Sequence, residues 1–276
     1  MDADAPVTII EPRRGWIPID VRELWRYREL LYFLTWRDIL VRYKQTALGV
    51  LWAVIQPVVT MVIFSLVFGR FGKLPSGGVP YPVFTFCALL PWNLFAAALT
   101  RATNSVVGSS GMVKKVYFPR LLIPVSSTLS PLVDFAISLL VLFALMAWYR
   151  MPFGWGLLLL PLLVLVTLSV ALGAGLWLSA LNVRYRDVGH AIPFMIQAWM
   201  FASPVAYSLM LIPAQWQPLY ALNPMVGVIN GFRWAFLGSG LMPLNTMLVS
   251  LCAGLAILVS GAFYFRRMEK TFADEA

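Results

Sequence analysis

Six long apolar runs divide the chain, and polar segments separate most of them. A helix needs about 20 apolar residues to cross the ~30 Å hydrocarbon core of a bilayer. The runs fall at about 48–69, 82–104, 121–148, 156–181, 191–211 and 244–265. This pattern predicts an all-α membrane protein with six transmembrane helices.

Residues 1–46 have a different pattern. Asp20 and Glu23 have the spacing of a capping box, and no proline or glycine interrupts residues 21–47, so we expect a helix there. Its apolar stripe is formed by Leu24, Tyr27, Leu31 and Leu34. We expect an amphipathic helix on the cytoplasmic leaflet, with Thr35 as the candidate position for a break. It could be a simple lipid anchor, or its polar face could dock another protein.

Composition supports a membrane protein. The chain is 60% hydrophobic and only 12% charged, against about 25% charged in soluble domains. A soluble core of this size could not bury so much apolar surface. Cys87 and Cys252 both lie inside apolar runs, so we expect no disulfide scaffold. The net charge of +9 could suggest a nucleic-acid partner, but the distribution of the charges argues against one.

The basic residues are concentrated on one side of the predicted membrane. Seventeen of the twenty-one lysines and arginines lie in the N-terminal arm, in or beside the 105–120 loop, in the 182–190 loop or in the tail. The remaining four are Arg70, Lys73, Arg150 and Arg233. We therefore expect a multi-pass protein of the inner (plasma) membrane. The positive-inside rule places both of its termini in the cytoplasm. We divide the chain into a cytoplasmic arm (1–46), a six-span transmembrane domain (47–265) and a cytoplasmic tail (266–276).

Several short motifs occur in a characteristic order along these runs. They are RYKQTALGVLWAVIQP at 42–57, KVYFPR at 115–120 followed by Pro124, LVDF at 132–135, NVRYRD at 182–187 and Asn223-Pro224. In this order, over roughly residues 30–265, the chain resembles ABC type-2 permeases that export polysaccharides such as O-antigen, capsule and teichoic acid. The resemblance implies a permease that works as a homodimer with two nucleotide-binding ATPase subunits.

The resemblance also assigns two candidate coupling loops. The 105–120 loop would be the coupling helix that fits a cleft on the ATPase, and the 182–190 loop occupies the equivalent place after the fourth run. The candidate coupling residues are Lys114, Lys115, Val116, Tyr117, Phe118, Arg120, Arg184, Tyr185, Arg186 and Asp187. Either loop could instead be a basic turn at the lipid surface.

The external segment 212–243 is apolar and carries one charge, Arg233. Asn223-Pro224 is a typical helix start and Gly238 a plausible stop, and residues 213–222 could form a second short helix. We expect this segment to dip back toward the membrane. The resemblance implies short periplasmic gate helices here; re-entrant packing without a gating role is the alternative.

Aromatic residues make up 14% of the chain. Their flat faces suit sugar rings as well as packing, although most rings in a membrane protein face lipid or the core. The candidates for lining a channel or gate are Trp52, Phe64, Trp92, Phe194, Trp199, Phe201, Tyr207, Trp216 and Tyr220.

The chain offers little for catalysis. It has no phosphate-binding loop motif, a single histidine (His190) and no cluster with metal-ligand spacing. We therefore expect no catalytic or metal site, with ATP and Mg²⁺ bound by the partner ATPase. Asp134 is the only acidic residue within the six runs. It could make a structural hydrogen bond or serve in a proton relay.

These observations favour the permease subunit of an ATP-driven exporter that moves a lipid-linked polysaccharide, with O-antigen as the leading candidate. The alternatives are an ABC type-2 permease for another lipid or a drug, and a membrane-embedded enzyme or scaffold of glycan synthesis. The enzyme is disfavoured because such enzymes normally need a cluster of charged residues, often with a metal, at the membrane surface.

Overall fold

The computed structural model describes residues 21–44, 49–113, 118–238 and 244–269, together with Phe272. Within these ranges all regular structure is helical. The α-helices are α1 (Val21–Arg26), α2 (Arg28–Lys44), α3 (Gly49–Phe64), α4 (Tyr81–Gly108), α5 (Ser110–Val113), α6 (Leu122–Leu129), α7 (Leu132–Trp148), α8 (Leu160–Arg184), α9 (Asp187–Phe201), α10 (Gln217–Tyr220), α11 (Pro224–Leu237) and α12 (Leu244–Met268). The predicted all-α class is confirmed for the described residues.

Five segments of the described chain are long and apolar enough to cross a membrane. Two are the single helices α4 and α12. In the other three, α3 continues as a π-helix over Ser65–Phe71, α6 and α7 follow one another across Pro131, and a 3-10 turn at Trp155–Leu159 leads into α8. These segments confirm five of the six predicted spans.

The predicted run at 191–211 is not one continuous span. Helix α9 has 15 residues and ends at Phe201, which gives it a length of about 22 Å. Turns and a 3-10 helix at Leu209–Leu211 follow it. Pro204 lies shortly after the helix end, and a proline disfavours helical geometry in the residue before it. Hydropathy alone could not show this end, because the residues after Phe201 remain apolar.

The amphipathic arm is helical, as predicted, but its interruption lies at Tyr27 rather than at Thr35. The Thr35 hydroxyl donates to the Leu31 carbonyl oxygen at 2.8 Å, within an unbroken turn of α2. The predicted apolar stripe faces the protein, where Leu34 is buried against Phe118 and the start of α6. The outward face carries exposed rings, namely Trp25, Tyr32, Phe33 and Trp36.

Helix α4 lies at the centre of the bundle, with α3, α6, α7, α8 and α11 packed around it. Its rings Phe86 and Phe95 have no exposed surface. Helices α8 and α12 cross closely where two glycines meet. A Cβ at Gly261 would lie 2.3 Å from the Gly173 carbonyl oxygen, so this approach requires glycine at position 261.

Helix α11 begins and ends where the sequence predicts. The Asn223 side chain caps its start by accepting from the Met225 backbone N–H at 3.1 Å. Gly238 ends it with a φ of 61°, the left-handed conformation that glycine adopts readily. Most of its side chains are buried, against α4, α8 and α12. The short helix predicted upstream is present as a 3-10 turn at Ala214–Trp216 followed by α10.

Candidate functional site

Two groups of interacting side chains lie at opposite ends of α4. The arm cluster consists of Asp38, Arg42, Tyr43, Arg101 and Asp134. The aromatic cluster consists of Tyr81, Phe84, Tyr207, Tyr220 and Arg233. Tyr81 begins α4 and Arg101 lies twenty residues further along the helix, which corresponds to about 30 Å, the thickness of a hydrocarbon core.

The arm cluster joins the end of α2 to the bundle. The carboxylate of Asp134 accepts a hydrogen bond from the Tyr43 hydroxyl and forms an ion pair with Arg42, whose Nη1 lies 2.5 Å from Asp134 Oδ2. Burial and the Asp134 carboxylate raise the pKa of Tyr43 to about 12. The structure thus pairs both oxygens of the one acidic residue that the sequence places in the apolar runs.

Two further hydrogen bonds extend the arm cluster to α4 and α6. Arg101 donates to the Ser130 hydroxyl at 2.8 Å, in the turn before α7. Ser127 of α6 donates to Asp38 at 3.2 Å. In the sequence, Arg101 is recognisable as a basic residue near the 105–120 loop. The signal for its role is its position as a lone arginine within the second apolar run.

The first candidate coupling loop is only partly visible. Lys114, Lys115, Val116 and Tyr117 lie outside the described residues. Phe118 is buried against α2 and α6. Arg120 donates from its side chain to the Glu269 carbonyl oxygen at 2.5 Å, and from its backbone N–H to the Glu269 carboxylate at 3.3 Å. The end of this loop is therefore bound to the segment after α12.

The second candidate coupling loop is a tight, exposed turn. Tyr185 and Arg186 connect α8 directly to α9, and the four residues Arg184 to Asp187 are all exposed. The Arg184 guanidinium lies over the Tyr185 ring, 5.4 Å from its centre. The turn thus presents a compact basic and aromatic surface.

A buried asparagine fixes this turn to α4. The Asn182 amide donates to the Thr103 carbonyl oxygen and to the Asn104 side chain, both at 3.2 Å, and its oxygen accepts from the Gly189 N–H at 2.9 Å. In the sequence, Asn182 is recognisable only as the first residue of the NVRYRD motif. Two of the three bonds are made to backbone groups, the Thr103 carbonyl oxygen and the Gly189 N–H, and these give the turn a fixed base on α4.

The aromatic cluster is built around Arg233, the one charged residue of the apolar external segment. Its side chain is buried and donates to the carbonyl oxygens of Val205, at 2.8 Å, and Tyr207, at 2.9 Å. Its guanidinium carbon lies 3.8 Å from the centre of the Phe84 ring. No acidic side chain pairs with it in the described part of the chain. Arg233 thus clamps the turn after α9 to α11 and α4.

Several nearby side chains also hydrogen-bond to one another. The Tyr207 and Tyr220 hydroxyls lie 2.5 Å apart. Burial and this hydrogen bond raise the pKa of Tyr220. The Asn223 side chain accepts from the Trp199 indole N–H at 3.0 Å and donates to Ser203 at 2.9 Å. An apolar groove of about 620 Å³ lies beside these residues, lined by Trp199, Trp216, Leu219, Tyr220 and Leu222 among others.

The nine aromatic candidates do not form a single surface within one chain. Trp199, Tyr207, Trp216 and Tyr220 come together at or beside the groove. Trp92 is only 2% exposed and packs on Phe95, and Phe64 is half-buried against Phe68. The others project outward from α3 and α9: Trp52, Phe194 and Phe201.

A helical bundle with five segments long enough to span a bilayer defines a multi-pass membrane protein. The chain belongs to the ABC-2 type transporter family, whose model matches residues 29–237. It is 30% identical over 258 residues to the O-antigen export system permease protein RfbA of Myxococcus xanthus, covering 92% of this chain and 98% of that protein.

Two other relatives have related names. The O-antigen export system permease protein RfbA of Klebsiella pneumoniae is 26% identical over 250 residues, which cover 89% of this chain and 94% of the relative. The polysialic acid transport protein KpsM of Escherichia coli is 25% identical over 239 residues, or 80% and 89% of the two chains. The chain is thus a transport protein of this family rather than a catalytic subunit.

Proposed function

We propose that this chain is the membrane subunit of an exporter that uses ATP to move a lipid-linked polysaccharide, with O-antigen as the first candidate, out of the cytoplasm. The observation that carries the proposal is the match over 98% of an O-antigen export permease. An end-to-end match includes the loops and the external segment as well as the apolar spans. A similarity that came from apolar composition alone would be confined to the membrane spans.

The exporter works as two copies of this chain with two ATPase subunits, which bind ATP and Mg²⁺. The unequal distribution of lysine and arginine supports an inner-membrane orientation with both termini in the cytoplasm. In this orientation α9 and the turns after it act as the sixth crossing. The arm cluster and the Arg184–Asp187 turn then face the cytoplasm, and the aromatic cluster lies at the external end.

The exposed turn at Arg184–Asp187 is a docking point for the ATPase, together with the 105–120 loop. Its rigid attachment to α4 through Asn182 supports this role, because a push on a fixed turn moves the helix rather than only the loop. At the other end, α10 and α11 form the external gate. The aromatic groove beside them offers ring faces to the passing cargo.

Deletion of the gene tests the cargo. We expect the polysaccharide to disappear from the cell surface and to accumulate, still linked to its lipid, on the cytoplasmic side. Complementation with the intact gene should restore export. A deletion strain with normal surface polysaccharide and an altered content of another lipid would instead favour an ABC-2 permease for a different cargo.

Docking is tested with purified protein. The double variant Arg184→Glu/Arg186→Glu should bind the ATPase about ten-fold more weakly, because reversing interface charges weakens association. The loss should be larger at low salt. Arg70→Glu changes an exposed charge in the π-helix that continues α3; it is the matched control and should bind normally. Equal binding by both variants would contradict docking at this turn.

A further inference from the structure

Asp134 connects helices that are far apart in the sequence. Tyr43 and Arg42, which occupy its two carboxylate oxygens, both belong to the last turn of α2, whereas Asp134 lies in the first turn of α7. Arg101 of α4 donates to the Ser130 hydroxyl, just before α7. Helices α2 and α7 therefore meet at the Asp134 carboxylate, and α4 is joined to the start of α7 through Ser130.

This contact is directional and partly shielded. The Asp134 side chain is 17% exposed and that of Arg42 is 35% exposed. A charge-assisted hydrogen bond fixes the distance and angle between its partners, and removing one partner of a shielded pair leaves an unpaired charge. The apolar contact of α2 with α6, centred on Leu34, lacks such direction because the hydrophobic effect is non-directional. Of these two contacts, the ion pair is the one that fixes the orientation of the end of α2 against α7.

We propose that Asp134 is a positioning residue that transmits movement of the arm into α7 and, through Ser130 and Arg101, into α4. This inference rests on the proposed function, in which the ATPase docks on the 105–120 loop. Phe118 at the end of that loop packs against Leu34 of α2, so movement of the loop reaches the arm. Helix α4 continues from Arg101 to Tyr81 and Phe84, which contact the turn after α9 and Arg233. The ion pair thus begins a continuous route from the arm to the aromatic cluster.

The test uses the whole complex with its ATPase and compares three measurements: ATPase association, ATP hydrolysis and polysaccharide export. In Asp134→Asn, the ATPase should still bind and hydrolyse ATP within about two-fold of wild type, whereas export should fall about ten-fold, the size of a typical coupling between sites. The charge exchange Arg42→Asp/Asp134→Arg should recover most of the export. Glu29→Gln removes an exposed carboxylate from the same arm and should behave as wild type.

Tyr43→Phe removes one hydroxyl and keeps the ring. It is a milder test of the same contact, for use if the Asp134→Asn protein does not fold and accumulate in the membrane. It should lower export about three-fold without lowering ATP hydrolysis, since only one bond to Asp134 is lost. Together with the charge exchange, it decides the proposal even if the single Asp134 variant fails to fold.

Three results would overturn the proposal. A parallel fall in association, hydrolysis and export would make Asp134 a folding anchor. A charge exchange that exports no better than Asp134→Asn would point to carboxylate chemistry such as a proton relay. Normal export by both Asp134→Asn and Tyr43→Phe would leave the contact without a role. If the wild-type complex itself exports no polysaccharide, the proposed function fails instead, and the wild-type control separates the two failures.

Discussion

The two ends of α4 are held in different ways. The arm cluster contains bases and acids from separate helices, and its ion pair is partly open to the surroundings. The aromatic cluster contains one buried cation, held by backbone carbonyl oxygens and a ring face. Breaking a partly exposed ion pair costs little folding free energy because water can solvate both charges, whereas a buried cation without an anion depends on every remaining contact. We expect substitutions at the aromatic end to lower stability more than substitutions at the arm end.

The largest expected effect is that of Arg233→Met. The substitution removes two charge-assisted hydrogen bonds and leaves the carbonyl oxygens of Val205 and Tyr207 without their donor. We expect the free energy of unfolding to fall by about 3 kcal/mol or more, since each such bond contributes about 1.5–3 kcal/mol. A reversible denaturant titration in detergent measures it. Arg70→Met, at an exposed position, should change it by less than about 0.5 kcal/mol. Similar values for the two variants would mean that the buried Arg233 contributes no more to stability than an exposed arginine.

Asn182→Ala should have an intermediate effect at the opposite end. It leaves the Gly189 N–H and the Thr103 carbonyl oxygen without their side-chain partner, which we expect to cost about 1–3 kcal/mol. Hydrogen exchange at Gly189 should accelerate before the bundle as a whole unfolds. Asn104→Ala removes the third bond of Asn182, the one to the exposed Asn104 side chain, and leaves the Gly189 and Thr103 bonds in place. It should have a smaller effect. Unchanged exchange at Gly189 in Asn182→Ala would mean that the turn is held by packing alone.

The smallest expected effect is an alkaline titration of the arm cluster. The pKa of Tyr43 is raised to about 12 from its usual 10.0. A raised pKa means that the protonated hydroxyl stabilises the fold below pH 10 and that this contribution is lost as the pH rises toward 12. The tyrosinate absorbance of Tyr43→Phe, subtracted from that of wild type, should show one tyrosine that titrates late. Asp134→Asn should move this titration to lower pH. A Tyr43 titration near the usual pKa of 10.0 in the wild type would contradict the hydrogen bond between Tyr43 and Asp134.

Periodicity and capping residues identified most of the helices. The predictions of the apolar stripe on α2 and of the first and last residues of α11 are confirmed, because each depends on residues close together in sequence. The end of α9 was missed because the residues after Phe201 stay apolar while the backbone turns. Apolar character measures preference for lipid, and it does not distinguish a helix from a turn that is covered by protein.

The partners within the clusters were less predictable. Asp134 and Arg233 stood out as charges in apolar segments, but nothing in a single sequence indicates that Asp134 meets Arg42 and Tyr43, or that Arg233 meets carbonyl oxygens. These contacts join residues that are 26 to 92 positions apart. Such pairs are decided by how the helices pack, and packing depends on the whole set of helices.

The central position of α4 has a consequence for how the protein is made. It is the least apolar of the five spanning segments, and it is also the most enclosed by protein. All but one of the segments that enclose it follow it in the chain, so the nascent helix must leave the ribosome before most of its final neighbours exist. Its polar groups, Arg101 and Asn104 among them, would then face lipid or the insertion machinery. Stable insertion of α4 should therefore require the synthesis of α7 and α8, and chains truncated before α8 should be degraded rather than held in the membrane.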